Sequence, residues 1–496
     1  MEESISTVPD TRLAAVDGLR EPERREIDAT IRRTREGFGL PCALELRLDR
    51  LDRLEAMLRD REDQLLAALA DDLGKSATEA WGTEIGTVFG EIAHLRKLLP
   101  SWQRPRAVPS SAPLVPSRAW ADRQPLGTVL VVAPWNYPVQ LVLSPLAGAL
   151  AAGNTVVVKP SEVAPAVAEV LADGLREFLG DCVGVVTGGV PETTRVLQHR
   201  FDHIFYTGNA TVGRVVMRAA AEYLTPVTLE LGGKSPAWVD GTADLEVAAA
   251  RIAWGKFVNA GQTCVAPDYV MGPPEVLTAL EPLLIAAIGR LYGPDPSISD
   301  SYGRIATARH LGRLTELLDQ VDPEDVVTGG QRREDERYLA PTVIRSSQDG
   351  PFMQEEIFGP VLPLVPVEDH RAAIDAVNAR EKPLALYVLS EDEAVRDGFR
   401  RNTSSGGMAI GAPLVHLAHP HLPFGGVGES GMGSYHGEYS LRTFSHERAV
   451  LDKPLKPDTL KMVYPPYSAL KARGARLAMG MPSPSRLIGR LLGGKR

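Results

Sequence analysis

The sequence predicts an α/β fold in which parallel sheets are linked by crossover helices. Short apolar runs alternate with longer segments of helical periodicity, first between Gly127 and Leu231 and again from Ser235 to about Met432. Such alternation is typical of parallel strands that are buried on both faces. At 496 residues the chain exceeds what one compact core supports, so we expect two or three domains.

Composition and charge narrow the class of protein. Apolar residues make up 44% and charged residues 24% of the sequence, which is typical of a globular protein in water. The net charge of −9 argues against a nucleic-acid surface spread over the whole body, so no nucleic-acid partner is expected. Residues 1–10 show no secretory signal, and no run approaches the roughly 18 apolar residues of a membrane-spanning helix.

Cysteine usage indicates a reducing compartment. The three cysteines, Cys42, Cys182 and Cys264, form an odd number at wide spacing and include no C-x-x-C motif. That pattern favours neither a disulfide framework nor a zinc site. We therefore expect the protein in the cytoplasm.

The chain before the first predicted sheet divides into three stretches. Residues 1–25 are polar and lack sustained periodicity, which predicts a loose leader. From there to about Trp102, leucines recur at helical spacing among many charged residues, which predicts helices. Residues 105–116 are rich in proline and should cross the surface in extended form.

Both alternating regions contain runs that predict individual buried strands. Those of the first region are 129–133, 155–158, 183–187, 204–207 and 227–231. Those of the second region are 269–271, 361–365 and 384–389, and a helix over 245–258 leads towards Cys264. The segment 423–428 is too rich in glycine for the interior of an element, so we expect a loop there.

Two turns at predicted strand ends carry residues suited to a dinucleotide, because parallel sheets bind ligands at the carboxyl ends of their strands. Lys159 and Glu162 follow the second strand and offer a cation and a carboxylate to an adenosine ribose. Gly208 and Gly213 follow the fourth strand and open a helix whose N-terminal amides can face a pyrophosphate. The spacing is not the G-x-G-x-x-G fingerprint, and a plain strand-to-helix turn explains it equally well.

Cys264 is the candidate nucleophile. It ends the stretch Asn-Ala-Gly-Gln-Thr-Cys, among small and polar residues. A thiolate is the most nucleophilic side chain near neutral pH, and it ionises in a polar or electropositive, partly open setting. The alternative is a core position, since free cysteines are among the most buried residues.

Three other unusual segments accompany this cysteine. They are Pro-Trp-Asn-Tyr-Pro at 134–138, Glu-Leu-Gly-Gly-Lys at 230–234 and Glu-Glu-Ile-Phe-Gly-Pro at 355–360. With Cys264 they resemble the NAD(P)-dependent aldehyde dehydrogenases, and the resemblance covers about residues 40–465. It is closest to the class 3 and fatty-aldehyde branch, in the segments at 251–257, 265–269 and 431–437.

The resemblance implies a fold, a domain plan and a function. The fold would be aldehyde dehydrogenase-like α/β, with a Rossmann-type cofactor domain, an α/β catalytic domain and a small bridging β-arm. The domain plan would be an NAD(P)-binding domain over 26–104 and 126–231, a catalytic domain over 232–432, bridging segments over 105–125 and 433–465, and a basic tail over 466–496. Members of the branch are typically homodimers that use NAD, with NADP possible. The implied function is oxidation of medium- or long-chain aliphatic or aromatic aldehydes to carboxylic acids.

The chemistry of this oxidation suits the residue types present. The Cys264 thiolate would add to the aldehyde, and the Asn136 carboxamide with the Cys264 backbone N–H would form an oxyanion hole for the thiohemiacetal. After hydride transfer, Glu230 would deprotonate the water that hydrolyses the thioester. On residue type alone, Asn136 also suits a turn, and Glu230 a solvated or ion-paired surface position.

Glu356 and Phe358 complete the predicted site. Glu356 would bind ribose hydroxyls on the nicotinamide side of the cofactor, with Phe358 packed nearby. A solvated face formed by Glu355 and Glu356 is the alternative, because adjacent glutamates usually face water.

Several other functions fit the sequence less well. A histidine group at 416, 419 and 421 lacks nearby Asp, Glu or Cys, so no metal site is expected. Relatives that pass the thioester to CoA lack the hydrolytic base, so Glu230 argues against that reaction. A binding protein on an inactive enzyme fold would not need Cys264, Asn136 and Glu230 together.

The C-terminal tail, 466–496, carries basic residues without an acid: Lys471, Arg473, Arg476, Arg486, Arg490, Lys495 and Arg496. Apolar residues accompany them, which is a combination that suits weak peripheral contact with an anionic membrane. The alternatives are a disordered tail or one docked on protein, because Gly474, Gly480, Pro482 and Pro484 interrupt any long helix.

Overall fold

The structure is a computed structural model that describes residues 18–111 and 114–480. The chain forms two compact units. The larger contains the residues up to Lys97 and Leu126–Phe444, and the smaller contains Leu98–Pro125 and the residues from Ser445 on.

The α-helices of the described residues are α1 (Glu21–Glu36), α2 (Leu44–Asp60), α3 (Glu62–Leu73), α4 (Ala77–Ala80), α5 (Gly86–Trp102), α6 (Gln140–Ala152), α7 (Pro165–Leu179), α8 (Val190–Leu197), α9 (Ala210–Ala221), α10 (Leu245–Phe257), α11 (Pro274–Tyr292), α12 (Ala308–Leu318), α13 (His370–Asn378), α14 (Glu393–Asn402), α15 (Glu438–Thr443) and α16 (Ala469–Gly480). A π-helix, Trp81–Ile85, joins α4 to α5.

The strands are β1 (Arg106–Val108), β2 (Arg118–Pro125), β3 (Thr128–Val132), β4 (Thr155–Lys159), β5 (Val183–Val185), β6 (His203–Thr207), β7 (Val227–Glu230), β8 (Pro236–Val239), β9 (Tyr269–Gly272), β10 (Val326–Thr328), β11 (Arg332–Arg333), β12 (Tyr338–Leu339), β13 (Thr342–Arg345), β14 (Val361–Pro366), β15 (Ala385–Leu389), β16 (Gly407–Ile410), β17 (Gly431–Met432) and β18 (Ser445–Asp452).

The first sheet of the larger unit has the strand order β17-β7-β6-β3-β4-β5. All its neighbours pair in parallel except β17, which runs antiparallel to β7 and places Gly431 opposite Glu230. β3, β4, β5 and β6 are buried along their whole length, which is why they read as continuous apolar runs. The α/β fold and the five strands predicted in this region are confirmed, although β5 ends two residues early, at Val185.

The second sheet has the order β10-β13-β14-β9-β8-β15-β16 and is parallel apart from β10. Its core contains Trp238, Tyr269 and Phe399, each nearly inaccessible to solvent. The three predicted strands of this region and the helix before Cys264 are present, since α10 spans Leu245–Phe257. The two sheets therefore divide the larger unit near Gly232, where the predicted cofactor and catalytic domains meet.

The smaller unit is built on an antiparallel sheet of order β1-β2-β18. β2 and β18 pair over eight residues, from Ser445 opposite Pro125 to Asp452 opposite Arg118. The Arg123 guanidinium lies 3.6 Å from the centroid of the Trp102 ring and donates to the Trp102 carbonyl at 2.9 Å.

Two predicted boundaries differ from the structure. α1 begins at Glu21, inside the predicted leader of 1–25, because Ile27 and Ile31 bury one face of this helix; residues 1–17 lie outside the described residues. Residues 433–444, predicted as part of a bridging segment, belong to the larger unit. There α15 packs so closely on α6 that a Cβ at Gly148 would lie 2.6 Å from the Ser440 Cβ.

We expected no run long and apolar enough to span a membrane, but one helix meets that criterion. Among the described residues, the segment Pro274–Ile298, which contains α11, meets that criterion of length and composition with a mean hydropathy of 1.4. α11 packs against α10, and Leu280 and Leu284 are fully buried. Only 39% of this apolar window is buried, and Ile285 and Leu291 are exposed.

The basic tail is described as far as Gly480. α16 covers Ala469–Gly480 and passes through Gly474, so that glycine does not end the helix. Residues 481–496 lie outside the described residues, and so do four of the seven basic residues of the tail: Arg486, Arg490, Lys495 and Arg496.

Candidate active site

Cys264 is held by a strained turn after α10. The residues Asn259, Ala260 and Gly261 all have positive φ angles, of 52°, 51° and 75°. Such angles cost a non-glycine residue on the order of 1–3 kcal/mol and persist only where the surroundings impose them. Gly261 is required for a second reason, since a Cβ there would lie 2.3 Å from the Gly359 carbonyl oxygen. The turn thus brings the cysteine segment against the backbone that follows Phe358.

A buried amide network fixes this turn to Asn136. The Asn136 carboxamide donates to the Gln262 carbonyl at 3.0 Å, and Asn259 donates to the Asn136 carbonyl at 2.8 Å. Gln262 is fully buried and donates to the carbonyls of Asn259 and Arg304. Asn136 therefore does more than form a turn. Its carboxamide is held against the backbone of Gln262, two residues before Cys264.

A buried ion pair that the sequence did not reveal contacts the backbone of Asn136. Lys75 Nζ lies 2.5 Å from a Glu84 oxygen, and neither side chain is exposed. Lys75 also donates to the Asn136 carbonyl at 3.0 Å. The second Glu84 oxygen accepts the backbone N–H groups of Val139 and Gln140 at the start of α6. Glu84 belongs to the π-helix, a distortion that is frequent at functional sites.

The surroundings of Cys264 agree with the expected partly open setting but do not favour the ionised thiol. The cysteine is partly exposed. Burial, followed by the charges of Glu356 and Glu230, raises the pKa of the Cys264 thiol well above its ordinary value. Backbone N–H groups of Cys264 and Val265 oppose that shift without cancelling it. At neutral pH the resting thiol is protonated, so attack requires a base that takes its proton.

Glu230 ends β7 and is 2% exposed, so it is not a solvated surface glutamate. Neither carboxyl oxygen has a hydrogen-bond partner within the described part of the chain. A Cβ at Gly425 would lie 3.1 Å from Oε1, which places the carboxyl against the glycine-rich loop 423–428. Burial raises the pKa of Glu230 well above its ordinary value. A desolvated carboxyl of this kind can accept a proton from a nearby thiol or water.

Glu356 lies over the glycine pair that follows Glu230. A Cβ at Gly232 would come 2.1 Å from a Glu356 oxygen, so only glycine leaves room for the carboxyl there. The backbone N–H of Gly233 donates to it, while burial and then the charge of Asp268 raise the pKa of Glu356 to about 8. The alternative of a solvated glutamate face holds for Glu355, which is exposed, but not for Glu356.

A second buried charge network holds the segment that carries Glu356. The Asp268 carboxylate accepts from Lys234 at 2.5 Å and from the backbone N–H of Ile357 at 3.1 Å. Lys256 Nζ, fully buried, lies 3.9 Å from the same carboxylate, and burial lowers the pKa of Lys256 to about 8. The two lysines and the aspartate therefore fix the backbone next to Glu356.

Phe358 belongs to an aromatic group at the same loop. Its ring packs edge-to-face on Trp135, with centroids 5.4 Å apart and planes at 83°. Its φ of 51° is held by a hydrogen bond from His310 Nε2 to the Phe358 carbonyl at 2.7 Å. Trp135 precedes Asn136, so this contact links the two segments that carry Asn136 and Glu356.

Lys159 and Glu162 lie together at the carboxyl end of β4. Lys159 is 2% exposed; its ammonium donates to the Pro160 carbonyl at 2.7 Å and lies 3.4 Å from a Glu162 oxygen. Burial lowers the pKa of Lys159. An ammonium has three donors, so one remains for a ligand hydroxyl. The Glu162 side chain, 48% exposed, keeps acceptor capacity, so the pair fits an adenosine ribose.

Gly208 and Gly213 differ in their structural roles. Gly208 follows β6, where its N–H donates to the Glu230 carbonyl at 3.0 Å and a Cβ would lie 2.2 Å from the Tyr206 hydroxyl. Asn209 caps α9 through Val212 N–H. Gly213 is buried one turn into α9, where a Cβ would lie 3.2 Å from Leu231. Its lack of a side chain serves the contact between helix and strand.

A cavity of about 910 Å³ opens in front of Cys264. Most of its lining is apolar or aromatic, including Tyr137, Leu141, Trp254 and Tyr435. Such a lining excludes water and favours an apolar ligand. A nucleophile in the wall of an apolar cavity suits attack on the polar head of an otherwise apolar substrate.

The histidines of the C-terminal half do not gather into a metal site. Within residues 18–111 and 114–480, no group of three His, Cys, Asp or Glu side chains could hold a metal ion. His416 is half-buried, with both ring nitrogens unpaired within those residues, and burial lowers the pKa of His416 to about 4.

Comparisons with known proteins identify a family and similar sequences. A profile described as the aldehyde dehydrogenase family matches residues 4–450. "Aldehyde dehydrogenase, dimeric NADP-preferring" of Rattus norvegicus is 45% identical over 452 residues, covering 90% of this chain and 99% of its own length. "Aldehyde dehydrogenase family 3 member B1" of Homo sapiens is 46% identical over 455 residues, covering 91% of this chain and 97% of its own length.

A solved structure extends the likeness to three dimensions. The substrate-bound state of Staphylococcus aureus AldH superimposes with a TM-score of 0.88 at 42% sequence identity. The match covers 91% of this chain and 99% of the other.

Proposed function

This chain belongs to the aldehyde dehydrogenase family and oxidises aldehydes with NAD or NADP, and we propose that Cys264, Asn136 and Glu230 carry out the reaction. The observation that supports the proposal most is the convergence of the partly exposed Cys264 thiol, the buried Glu230 carboxyl whose charge reaches it, and the Asn136 carboxamide, which donates to the Gln262 carbonyl. The three groups come from separate segments of the sequence. Their convergence is what acyl transfer through a covalent intermediate requires.

In the first step, the Cys264 thiol loses its proton and its sulfur adds to the aldehyde carbonyl. Glu230 is the candidate base for this proton, because its charge reaches the thiol and neither of its carboxyl oxygens has a hydrogen-bond partner in the described part of the chain. The oxygen of the thiohemiacetal then accepts from the Asn136 carboxamide and the Cys264 backbone N–H. Removing one such donor typically costs about 2.7–4 kcal/mol of barrier.

In the second step, the thioester is hydrolysed. Once Glu230 has passed the thiol proton to solvent, it takes a proton from water, the hydroxide adds to the thioester carbonyl, and the carbon–sulfur bond breaks to release the carboxylic acid and the thiolate. The carboxyl suits this role because burial raises the pKa of Glu230 well above its ordinary value, so its ionised form is a stronger base.

The residues present fit a dinucleotide cofactor. We propose that Lys159 and Glu162 bind its adenosine ribose, that the start of α9 after Gly208 faces its pyrophosphate, and that Glu356 binds the other ribose beside Phe358. When bound, NAD or NADP supplies the hydride acceptor for the oxidation. The carboxyl of Glu356 over Gly232 and the remaining donor of Lys159 support this placement.

The substrates are proposed to be medium- or long-chain aliphatic or aromatic aldehydes. The apolar lining and the volume of about 910 Å³ support this class. A homodimer is proposed because the Rattus norvegicus relative is named dimeric and because β18 has a partner strand on one side only in the sheet β1-β2-β18.

Localisation in the cytoplasm and weak contact of the basic tail with anionic membranes also remain proposals. The three unpaired cysteines support the first, and exposed Leu470, Leu477 and Met479 on α16 support the second. Flotation with anionic vesicles at low salt tests the tail: the full chain should float more than one ended after Tyr464, and equal recovery would reject the membrane contact.

The experiment for the catalytic proposal uses hexanal and NAD without CoA. Wild-type protein should form one NADH for each hexanal consumed, which also separates hydrolysis from transfer to CoA. Cys264→Ser should lose turnover while still binding NAD, because a neutral hydroxyl does not replace the thiolate. Turnover of the variant within about tenfold of wild type, a barrier change of only about 1.4 kcal/mol, would reject Cys264 as the nucleophile.

A further inference from the structure

One wall of the substrate cavity is formed by the π-helix and α5 and contains three glycines. Gly82, Gly86 and Gly90 recur every four residues through the π-helix and α5, and all three line the cavity. Residues four apart share one face of a helix. The three glycines therefore form a continuous strip, termed here the glycine strip, about 12 Å long at 1.5 Å per residue.

Neither backbone conformation nor packing explains two of these glycines. None of the three has a positive φ angle. A Cβ at Gly82 or Gly90 would have no heavy atom within 4 Å, whereas one at Gly86 would come 2.8 Å from the Trp81 ring. Glycine within a helix costs about 0.5–1 kcal/mol relative to alanine. Because both glycines line the cavity, a side chain at 82 or 90 would extend into open space at that wall.

The mouth of the same cavity exposes large apolar side chains. Trp81 is 45% exposed, Trp254 41% and Val415 50%, and all three line the cavity. Exposed aromatic and aliphatic groups gathered at one opening mark a binding surface for an apolar partner. The volume of about 910 Å³ lies near the upper end of the roughly 300–1,000 Å³ of small-molecule sites.

We propose that the glycine strip sets the width of the substrate cavity and makes it accept aldehydes with a broad apolar body, either branched or with fused rings. A straight alkyl chain needs a long cavity but not a wide one. Side chains at 82 and 90 would narrow the space while leaving its length and Cys264 unchanged. This inference rests on the proposed function, because it requires the aldehyde to reach Cys264 through this cavity.

The test compares Gly82→Leu and Gly90→Leu with Gly289→Leu. Gly289 is a matched control, because it is an exposed helical glycine on α11 whose Cβ would also have no heavy atom within 4 Å. For each protein, kcat/KM is measured with propanal, dodecanal and 2-naphthaldehyde. Melting temperatures check folding, and all three variants should be at least as stable as wild type because leucine favours helix more than glycine does.

The expected result is a change in discrimination. In Gly82→Leu and Gly90→Leu, the ratio of kcat/KM for 2-naphthaldehyde to that for propanal should fall about tenfold or more, and the ratio for dodecanal should fall less. Gly289→Leu should keep the wild-type ratios. Unchanged ratios in both cavity variants, with propanal still oxidised, would overturn the role of the glycine strip. If the wild-type protein did not oxidise propanal at all, the proposed function itself would be rejected.

Discussion

The buried pair of Lys75 and Glu84 predicts a large and specific loss on substitution. Lys75→Met removes the ammonium but leaves the Glu84 carboxylate fully buried, 2.5 Å from where its partner lay. Breaking such a pair from one side costs about 3–5 kcal/mol of unfolding free energy. The ammonium also lies 4.0 Å from the centroid of the Tyr137 ring, and a desolvated contact of that kind adds up to about 2 kcal/mol.

Activity should fall with stability, because Lys75 also holds the Asn136 carbonyl at 3.0 Å. Urea denaturation gives the change in stability, and NADH formation from hexanal gives kcat/KM for the folded protein. The double variant Lys75→Met with Glu84→Gln removes both charges and should recover about 2 kcal/mol of the loss, since contacting residues are coupled. Arg25→Met breaks an exposed pair with Glu21 and serves as the control, for which no change is expected.

A loss below about 1 kcal/mol in Lys75→Met, or a double variant no more stable than the single one, would refute this reasoning. Either result would mean that Glu84 is neutral or reaches water when its partner is removed.

Three further predictions concern single side chains of the larger unit. Asn136→Ala should lower kcat/KM for hexanal about 10²–10³-fold with little change in NAD affinity, and a loss below about tenfold would remove it from the oxyanion hole. Wild-type protein should have a higher kcat/KM with NAD than with NADP, because a carboxylate repels a 2′-phosphate. Glu162→Gln should bring the two kcat/KM values closer together. A wild-type kcat/KM with NADP that equals or exceeds the value with NAD contradicts this. Burial raises the pKa of Glu91 to about 7 from an ordinary 4.5, so its favourable contribution to stability is lost as pH rises through 7. Glu91→Gln should therefore match wild type at pH 5 and exceed it by up to about 3 kcal/mol at pH 9 in urea denaturation, whereas an equal difference at both pH values would contradict the shift.

Much of the fold was predictable because burial on both faces leaves a plain sequence pattern. Strands such as β3 and β4 are apolar throughout and are bounded by turn residues, so their positions followed from the sequence to within one or two residues. The boundary at Glu21 was missed because α1 buries only a few side chains, and a charged helix with a narrow apolar face resembles a polar leader.

The candidate site was predictable where residue type carries the chemistry. Cys264, Asn136, Glu230 and Glu356 stand in segments that are odd for a core or a surface, and the structure brings these segments together. The environment of each group was not predictable. The sequence led us to expect an ionised thiol, whereas burial and then the charges of Glu356 and Glu230, which belong to distant segments, raise the pKa of the Cys264 thiol.

The supporting residues left still less trace in the sequence. Lys75 and Glu84 lie nine residues apart in a helical region full of charged residues, and nothing distinguishes them from their solvated neighbours before their burial is known. The left-handed conformation of Asn259 and Ala260 likewise depends on the contacts around them, since neither residue type requires it.

Single-turnover kinetics of Glu230→Gln test most directly the claim that a cysteine thioester is hydrolysed with this carboxyl as the base. The glutamine keeps the size of the side chain but cannot take a proton from water. With hexanal and NAD, the variant should release a burst of NADH equal to the enzyme concentration and then stall, and mass spectrometry should find the acyl group on Cys264. Steady-state turnover at the wild-type rate, with no acyl enzyme, would contradict the account and move the role to another group, with Glu356 the next candidate.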